Sequence, residues 1–188
     1  MLLIALILAI FGVSVTGANI TGPLYQIKTE LQPSSANKTS YNSKSNLWLY
    51  PFHTGAGLSD ATFRETQGGA SKAFFSPTNV TGRDNLLFDF GTTFTFGLKM
   101  IPNQKFYSAW QPVEMNAGVH GSKTDVSGFF VNATGLQWKS PGFGGWIVCD
   151  WWHGFPQLFF RTNNPGYNYP APASCAEVYL RPLPAQAD

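Results

Sequence analysis

A run of aromatic and polar residues in the C-terminal half of the chain holds the side chains best suited to chemistry. Trp146, Trp151 and Trp152 lie close together with Asp150 and His153. The apolar face of a pyranose ring stacks on an indole, while polar neighbours hydrogen-bond to the sugar hydroxyls. The segment therefore predicts a carbohydrate-binding site. The alternative interpretation is that the three indoles fill the core of a small β domain, where buried aromatic rings dominate the packing energy.

The spacing of these residues predicts which of them share a surface. On a β-strand, alternate side chains point to opposite faces of the sheet. A strand over residues 146–152 would place Trp146, Asp150 and Trp152 on one face, and Cys149 and Trp151 on the other. Tryptophan on both faces favours the exposure of at least one ring.

Catalysis would need two positioned carboxylates, or a nucleophile with its base. Asp150 and His153 are close enough in sequence to face each other across a strand end. The other acids in aromatic strands are Asp89, Glu114 and Glu177. No Gly-x-Ser-x-Gly motif occurs, and nothing selects one pair, so we assign no catalytic residue. The second hypothesis is a carbohydrate-active hydrolase that uses Asp150 and a second carboxylate.

The remaining composition argues against other classes of site. The three histidines, His53, His120 and His153, are far apart in sequence, so no metal site is predicted. The Gly55-Ala-Gly57 sequence lacks the third glycine and the following helix of a nucleotide-binding loop, so we predict no cofactor there and interpret it as a tight connection between strands. The net charge is only +2 and the basic residues are scattered, which excludes a typical nucleic-acid-binding surface.

The N-terminus predicts the compartment. Residues 1–15 are almost entirely apolar, and Thr16, Gly17 and Ala18 form the small-residue pattern of a signal-peptidase site. This apolar run is shorter than the roughly 20 residues of a membrane span, although an uncleaved anchor is the alternative. We therefore predict a signal peptide over residues 1–18 and a single secreted domain over residues 19–188, located outside the cell or in the cell wall, with no membrane association after cleavage.

If the protein is secreted, its two cysteines and its Asn-x-Ser/Thr motifs predict covalent modifications. Cys149 and Cys175 are the two cysteines, and in an oxidising compartment they predict one disulfide. Four Asn-x-Ser/Thr sequons, none with proline in the middle, predict N-glycosylation. The four candidate sites are Asn19, Asn37, Asn79 and Asn132.

The elements that must position these residues are short β-strands. Apolar residues alternate with polar ones in several stretches, and the 19 glycines and 13 prolines are dispersed at turn-like intervals. About ten short strands predict one all-β domain, an antiparallel β-sandwich or barrel with one disulfide. The predicted strands cover residues 25–31, 46–52, 85–90, 93–100, 105–113, 128–132, 136–139, 146–152, 157–162 and 176–181. Residues 58–65 are expected to hold a turn of helix capped by Ser59, and residues 32–45 and 162–174 are expected to be loops.

Three segments resemble a family of small secreted fungal proteins with a domain of unknown function. They are residues 50–60, residues 136–139, and residues 145–159 with Cys175 downstream; the Cys149-Asp-Trp-Trp-His153 run is the most specific. The resemblance covers nearly all of the predicted mature chain and implies a fungal, extracellular setting. It implies no activity and no catalytic residues. We therefore expect an extracellular, non-enzymatic glycoprotein whose partners would be cell-wall or host glycans.

Overall fold

The computed structural model describes Ile20 and residues 22–36, 43–102, 109–163 and 171–186. The predicted signal peptide and the candidate glycosylation sites Asn19 and Asn37 lie outside these residues. The described chain forms one short helix, α1 (Pro33–Ala36), and twelve strands. The strands are β1 (Tyr25–Leu31), β2 (Trp48–Gly55), β3 (Leu58–Arg64), β4 (Lys72–Ser76), β5 (Asn85–Asp89), β6 (Phe96–Met100), β7 (Trp110–Ala117), β8 (Phe129–Asn132), β9 (Gly135–Trp138), β10 (Phe143–Asp150), β11 (Pro156–Thr162) and β12 (Cys175–Pro184).

Ten of these strands form one antiparallel sheet in the order β10-β12-β1-β2-β3-β11-β7-β6-β5-β4. Further pairings of β10 with β11, of β1 with β4 and of β3 with β7 close it into a nine-stranded barrel with one additional strand. β8 and β9 form a separate hairpin. The predicted all-β antiparallel domain is confirmed, and of the two architectures left open it is the barrel. Among the described residues, no helix has the length and apolar character needed to cross a bilayer.

Several segments differ from the sequence predictions, among them residues 32–45, expected to be a loop, which contain the short helix α1. The expected helical turn at residues 58–65 was wrong, because this segment is β3, whose buried Ala61 and Phe63 alternate with outward residues. β4 was not predicted; it forms five register pairs with β5, the next strand along the chain, and two with β1, which is distant in sequence. The strand predicted over residues 105–113 corresponds to β7, which extends to Ala117, while residues 103–108 lie outside the described ranges.

The barrel interior is one continuous apolar cluster, to which every strand contributes. Inward positions on one strand are two residues apart, as the pleat of a strand requires. Trp146 and Val148 point inward on β10, and Leu158 and Phe160 do so on β11. The β8–β9 hairpin adds Phe129, Leu136 and Trp138 to this interior cluster. The hairpin is therefore part of the core, although it does not belong to the main sheet.

Polar contacts fix the β8–β9 hairpin against the barrel. The indole nitrogen of the buried Trp146 donates to the carbonyl of Leu136 at 2.6 Å. Arg181 on β12 donates from Nη1 to the carbonyl of Ala133 at the hairpin tip, 2.8 Å away, and from Nε to the carboxylate of Glu30 at 2.7 Å. The hydrogen bond from Arg181 lowers the pKa of Glu30 below its ordinary value.

A second apolar cluster lies on the outer surface of the barrel. This outer cluster contains Trp110, Phe159 and Ile147 packed around a disulfide between Cys149 and Cys175. The two cysteines are directly paired across β10 and β12, so the predicted disulfide is confirmed. A cross-link between neighbouring strands holds the start of β12 to the end of β10, which leads into the β10–β11 turn.

Gly97 in β6 is required by a close approach of the backbone. A Cβ atom at this position would overlap the carbonyl oxygen of Val119. We expect Gly97→Ala to lower the free energy of unfolding by about 1–3 kcal/mol, the usual cost of overpacking. Gly68→Ala is the matched control, since a Cβ there meets nothing within 4 Å. Urea denaturation of both variants measures the difference; equal stabilities would show that β6 moves away from Val119 at no cost.

Candidate functional site

The turn between β10 and β11 folds back over the outer surface of β2 and β3. His153 in this turn has a side chain only 2% exposed, and its Nε2 lies 2.5 Å from Oδ2 of Asp60 on β3. The imidazole stacks on Phe52 of β2, with ring centroids 4.0 Å apart and an interplanar angle of 28°. Phe52 and Asp60 are directly paired across β2 and β3, so one cross-strand pair supplies both contacts to His153.

Trp152 lies on the solvent side of this stack. Its indole packs against the His153 ring with centroids 3.9 Å apart, and the residue is 76% exposed, the largest value among the described large hydrophobic residues. Phe52, His153 and Trp152 thus form an aromatic stack that begins on the barrel wall and ends in water. Because one face of the indole lies against His153, the other is available to a flat apolar partner, such as the face of a sugar ring.

The predicted sharing of faces fails at Trp152, because β10 ends at Asp150 and Trp152 belongs to the turn. Trp146 lies in the interior cluster and is 1% exposed, so a ligand cannot reach it. Trp151 packs on the outer cluster, with Trp110 and Phe159 each 5.3 Å away between ring centroids. The structure therefore brings Trp152 and His153 together and places Trp146 and Trp151 in two separate packed regions.

Asp150 forms an ion pair with Lys44, a residue of the segment before β2. The Lys44 side chain is 3% exposed, whereas that of Asp150 is 63% exposed. A buried ammonium needs an anionic or hydrogen-bonding partner, because transferring an isolated charge out of water is costly. Asp150 thus has a structural role, and its remaining exposed surface is still open to a ligand.

Asp60, which contacts the aromatic stack, belongs to a pair of acids on neighbouring strands. Asp60 on β3 is directly paired with Glu114 on β7. Glu114 accepts a hydrogen bond from Nδ2 of the buried Asn116 at 2.6 Å. The side-chain oxygen Oδ1 of Asn116 accepts one from the backbone N–H of Ser59 at 3.2 Å. Each carboxylate is therefore oriented by a neighbouring side chain, Asp60 by His153 and Glu114 by Asn116.

Sequence reasoning did not identify Phe52 and Asp60 as site residues. Asp60 lay in the segment interpreted as helical, although Ala61 and Phe63 alternate with it in a strand-like pattern. Both residues fall within the 50–60 segment that carries the family resemblance, which was the available signal.

The other predicted site residues lie away from this stack. Asn79 is exposed and borders a cleft of about 330 Å³ that is also lined by His120 and Asn85. Asn132 is exposed at the tip of the β8–β9 hairpin, as predicted. His53 is exposed on β2. Within the described ranges, no group of three or more His, Cys, Asp or Glu side chains is arranged to hold a metal ion.

We expect the three tryptophans to differ in their contributions to stability. Trp146→Ala should cost about 3–5 kcal/mol, the usual loss for a fully buried ring. Trp151→Ala should cost less, since that ring is only partly buried, and Trp152→Ala should cost no more than about 1.5 kcal/mol, the value of one ring contact. Thermal and urea unfolding of the three secreted variants give the order. A Trp152→Ala variant as unstable as Trp146→Ala would mean that the stack belongs to the core.

We expect Asp150→Asn to lower the free energy of unfolding by about 1–3 kcal/mol, because it leaves the Lys44 ammonium buried without its anion. Lys44→Met is the matched control: it removes the buried charge, and the exposed Asp150 can return to water, so its cost should be smaller. Urea denaturation at neutral pH compares the two. If Asp150→Asn is as stable as wild type, the ion pair with Lys44 contributes nothing to the fold.

Comparison with known proteins identifies the chain at the level of a family. Residues 23–184 match a family described as a domain of unknown function, DUF7907. No curated protein and no solved structure matches the chain. The matched region covers the barrel from before β1 to the end of β12 and includes the whole aromatic stack. This match confirms the expectation of an uncharacterised family. The chain therefore belongs to the DUF7907 family, which is described as a domain of unknown function.

Proposed function

We propose that this protein is a secreted, non-enzymatic glycoprotein that binds a cell-wall or host-surface polysaccharide through the free face of Trp152. The observation that supports this most directly is the exposure of an indole that is at the same time held in place. Water exposure of a large apolar ring is unfavourable in a free protein, and the stack on His153 limits the motion of the ring. A ring ordered before binding loses little conformational entropy when a ligand arrives.

The polar neighbours of Trp152 are suited to sugar hydroxyls. Asp60 lies beneath the stack with a partly exposed carboxylate, and Asp150 is two residues before Trp152 with most of its side chain in water. Carboxylate oxygens accept hydrogen bonds from hydroxyl groups, and charge-assisted hydrogen bonds are stronger than neutral ones. An apolar ring with acceptors beside it is the combination that pyranose recognition requires.

Three features support the extracellular location. The apolar residues 1–15 followed by small residues resemble a signal peptide. A disulfide persists in oxidising compartments and is rare in the cytosol. Asn79 and Asn132 are exposed, as acceptors of N-linked glycans must be. The resemblance to small secreted fungal proteins supports a fungal cell wall or a host surface as the setting.

A carbohydrate-active hydrolase is the second candidate, and the pairing of Asp60 with Glu114 favours it. A glycosidase uses two carboxylates that flank one glycosidic bond. Directly opposite residues in antiparallel strands have Cα atoms about 4.5–5.5 Å apart and place two acids side by side on one face of the sheet. This pair differs from the pair expected from sequence, in which Asp150 supplied one carboxylate. Asp60 and Glu114 are directly opposite each other on neighbouring strands, and Asp60 contacts the His153 ring on which the exposed indole packs.

Binding to insoluble fungal and plant wall polysaccharides, followed by a glycan array, tests the proposal. We expect Trp152→Ala to weaken binding by about ten-fold, because ring stacking contributes about 0.5–1.5 kcal/mol beyond the area it buries. Phe94→Ala is the matched control, since Phe94 is another exposed aromatic residue but lies in the connection between β5 and β6. It should bind as wild type does.

The same polysaccharides, assayed for released sugars, separate the two candidates. Product release that is lost in both Asp60→Asn and Glu114→Gln would establish the hydrolase and overturn the non-enzymatic proposal. Wild-type protein that binds none of the polysaccharides, or Trp152→Ala that binds as tightly as wild type, would overturn the assignment of the binding site to Trp152.

A further inference from the structure

The outer face of the β8–β9 hairpin places an exposed phenyl ring beside a glycosylation sequon. We propose that the first N-acetylglucosamine of an N-linked glycan on Asn132 packs against Phe130, so that this hairpin contains a receptor for its own sugar. The inference rests on the glycoprotein part of the proposed function, and it is independent of polysaccharide binding at Trp152.

The pairing register puts Phe130 and Asn132 on the same side of the hairpin. Phe130 is opposite Gln137, and Asn132 is opposite Gly135. The alternate pairs face the barrel, where Phe129, Leu136 and Trp138 belong to the interior cluster. Phe130 is 42% exposed, and Asn132 is also exposed. The two side chains therefore share the solvent face, while Gly135 opposite Asn132 lies close against the backbone of Leu180 on β12.

The spacing suits a sugar ring. Residues two apart on a strand are separated by about 6.6–6.8 Å, so a pyranose attached to the Asn132 side chain reaches the phenyl ring two positions before it. The face of an aromatic ring carries partial negative charge and attracts the weakly positive C–H groups on the apolar face of a sugar. An exposed phenyl ring with no role in the core gains a partner in this way.

The tip of the hairpin is already ordered for this contact. The Asn132 side-chain oxygen accepts hydrogen bonds from the backbone N–H of Thr134 at 2.8 Å and from its hydroxyl at 2.7 Å. Arg181 holds the carbonyl of Ala133. Because these contacts order the turn of the folded chain without any contribution from the sugar, packing the sugar on Phe130 requires little further ordering.

The modification itself is the standard transfer of an oligosaccharide to a sequon. A bond forms between Nδ2 of Asn132 and C1 of the first N-acetylglucosamine, the bond between that C1 and its lipid diphosphate carrier breaks, and the amide nitrogen loses one proton.

Asn79 offers an internal contrast. It is also exposed in a sequon, but the residue two positions before it is Pro77, which has no aromatic ring.

The test uses the full chain expressed through a eukaryotic secretory pathway, with site occupancy read by mass spectrometry of glycopeptides. We expect Asn132 to be occupied. An endoglycosidase that leaves one N-acetylglucosamine on Asn132 should leave the melting temperature unchanged, whereas complete removal of the glycan should lower it by about 2–4 °C. Phe130→Ala should lower the melting temperature by a similar amount in glycosylated protein and by much less when combined with Asn132→Gln.

Val131→Ala is the matched control for Phe130→Ala. Val131 is 50% exposed but is paired with Leu136 on the opposite face, so its effect should be the same with and without Asn132→Gln. Phe130→Tyr, which keeps the ring, should restore the dependence on the glycan. An unoccupied Asn132, or equal effects of Phe130→Ala in the two backgrounds, would overturn the inference. Trp152 takes no part in the contact between the glycan and Phe130. The expected melting temperatures therefore do not depend on whether the protein binds a polysaccharide, and the failure of one proposal is distinguishable from the failure of the other.

Discussion

Closure of the β-sheet into a barrel is the constraint on which the rest of this structure depends. A closed sheet hides one face of every strand, and the inward residues form a single apolar cluster from β1 to β12. The same closure gives every strand an outer face that must be covered by other parts of the chain or remain in water. The outer cluster and the β10–β11 turn are two different consequences of this requirement, whereas the β8–β9 hairpin contributes to the interior cluster.

The aromatic residues on the outer surface near β10 have two different environments: some pack against one another, and one is exposed to solvent. The disulfide and the rings of Trp110, Trp151 and Phe159 cover one part of it. The adjacent turn then crosses β3 to reach β2, where His153 is enclosed between Phe52 and Asp60. Burial of the imidazole fixes the turn, and the fixed turn presents Trp152. The exposed ring is therefore a product of the contacts beneath it, since a free turn would not hold an indole in one place.

Two exposed aromatic residues in the barrel share a physical property but differ in what lies beside them. Trp152 packs on His153, whose ring contacts the Asp60 carboxylate, and in our proposal this arrangement suits the hydroxyls of a separate sugar chain. Phe130 is next to a sequon asparagine on an ordered hairpin tip, which suits a sugar attached to the same chain. In each case a rigid support beneath the ring reduces the entropic cost of contact.

The sequence by itself determined the class of fold, the disulfide and most of the strands, because two-residue alternation and an even pair of cysteines are local properties that survive without knowledge of the partners. It also predicted the β8–β9 turn and the segment that carries the exposed tryptophan. Tertiary structure alone decided that the sheet is a barrel, that residues 58–64 and 72–76 are strands, and that Trp146, Trp151 and Trp152 occupy three different environments. The physical reason is that strand pairing and burial depend on residues distant in sequence: Asp60 meets His153 across 93 positions, and alternation along β10 cannot show where the strand ends and the turn begins.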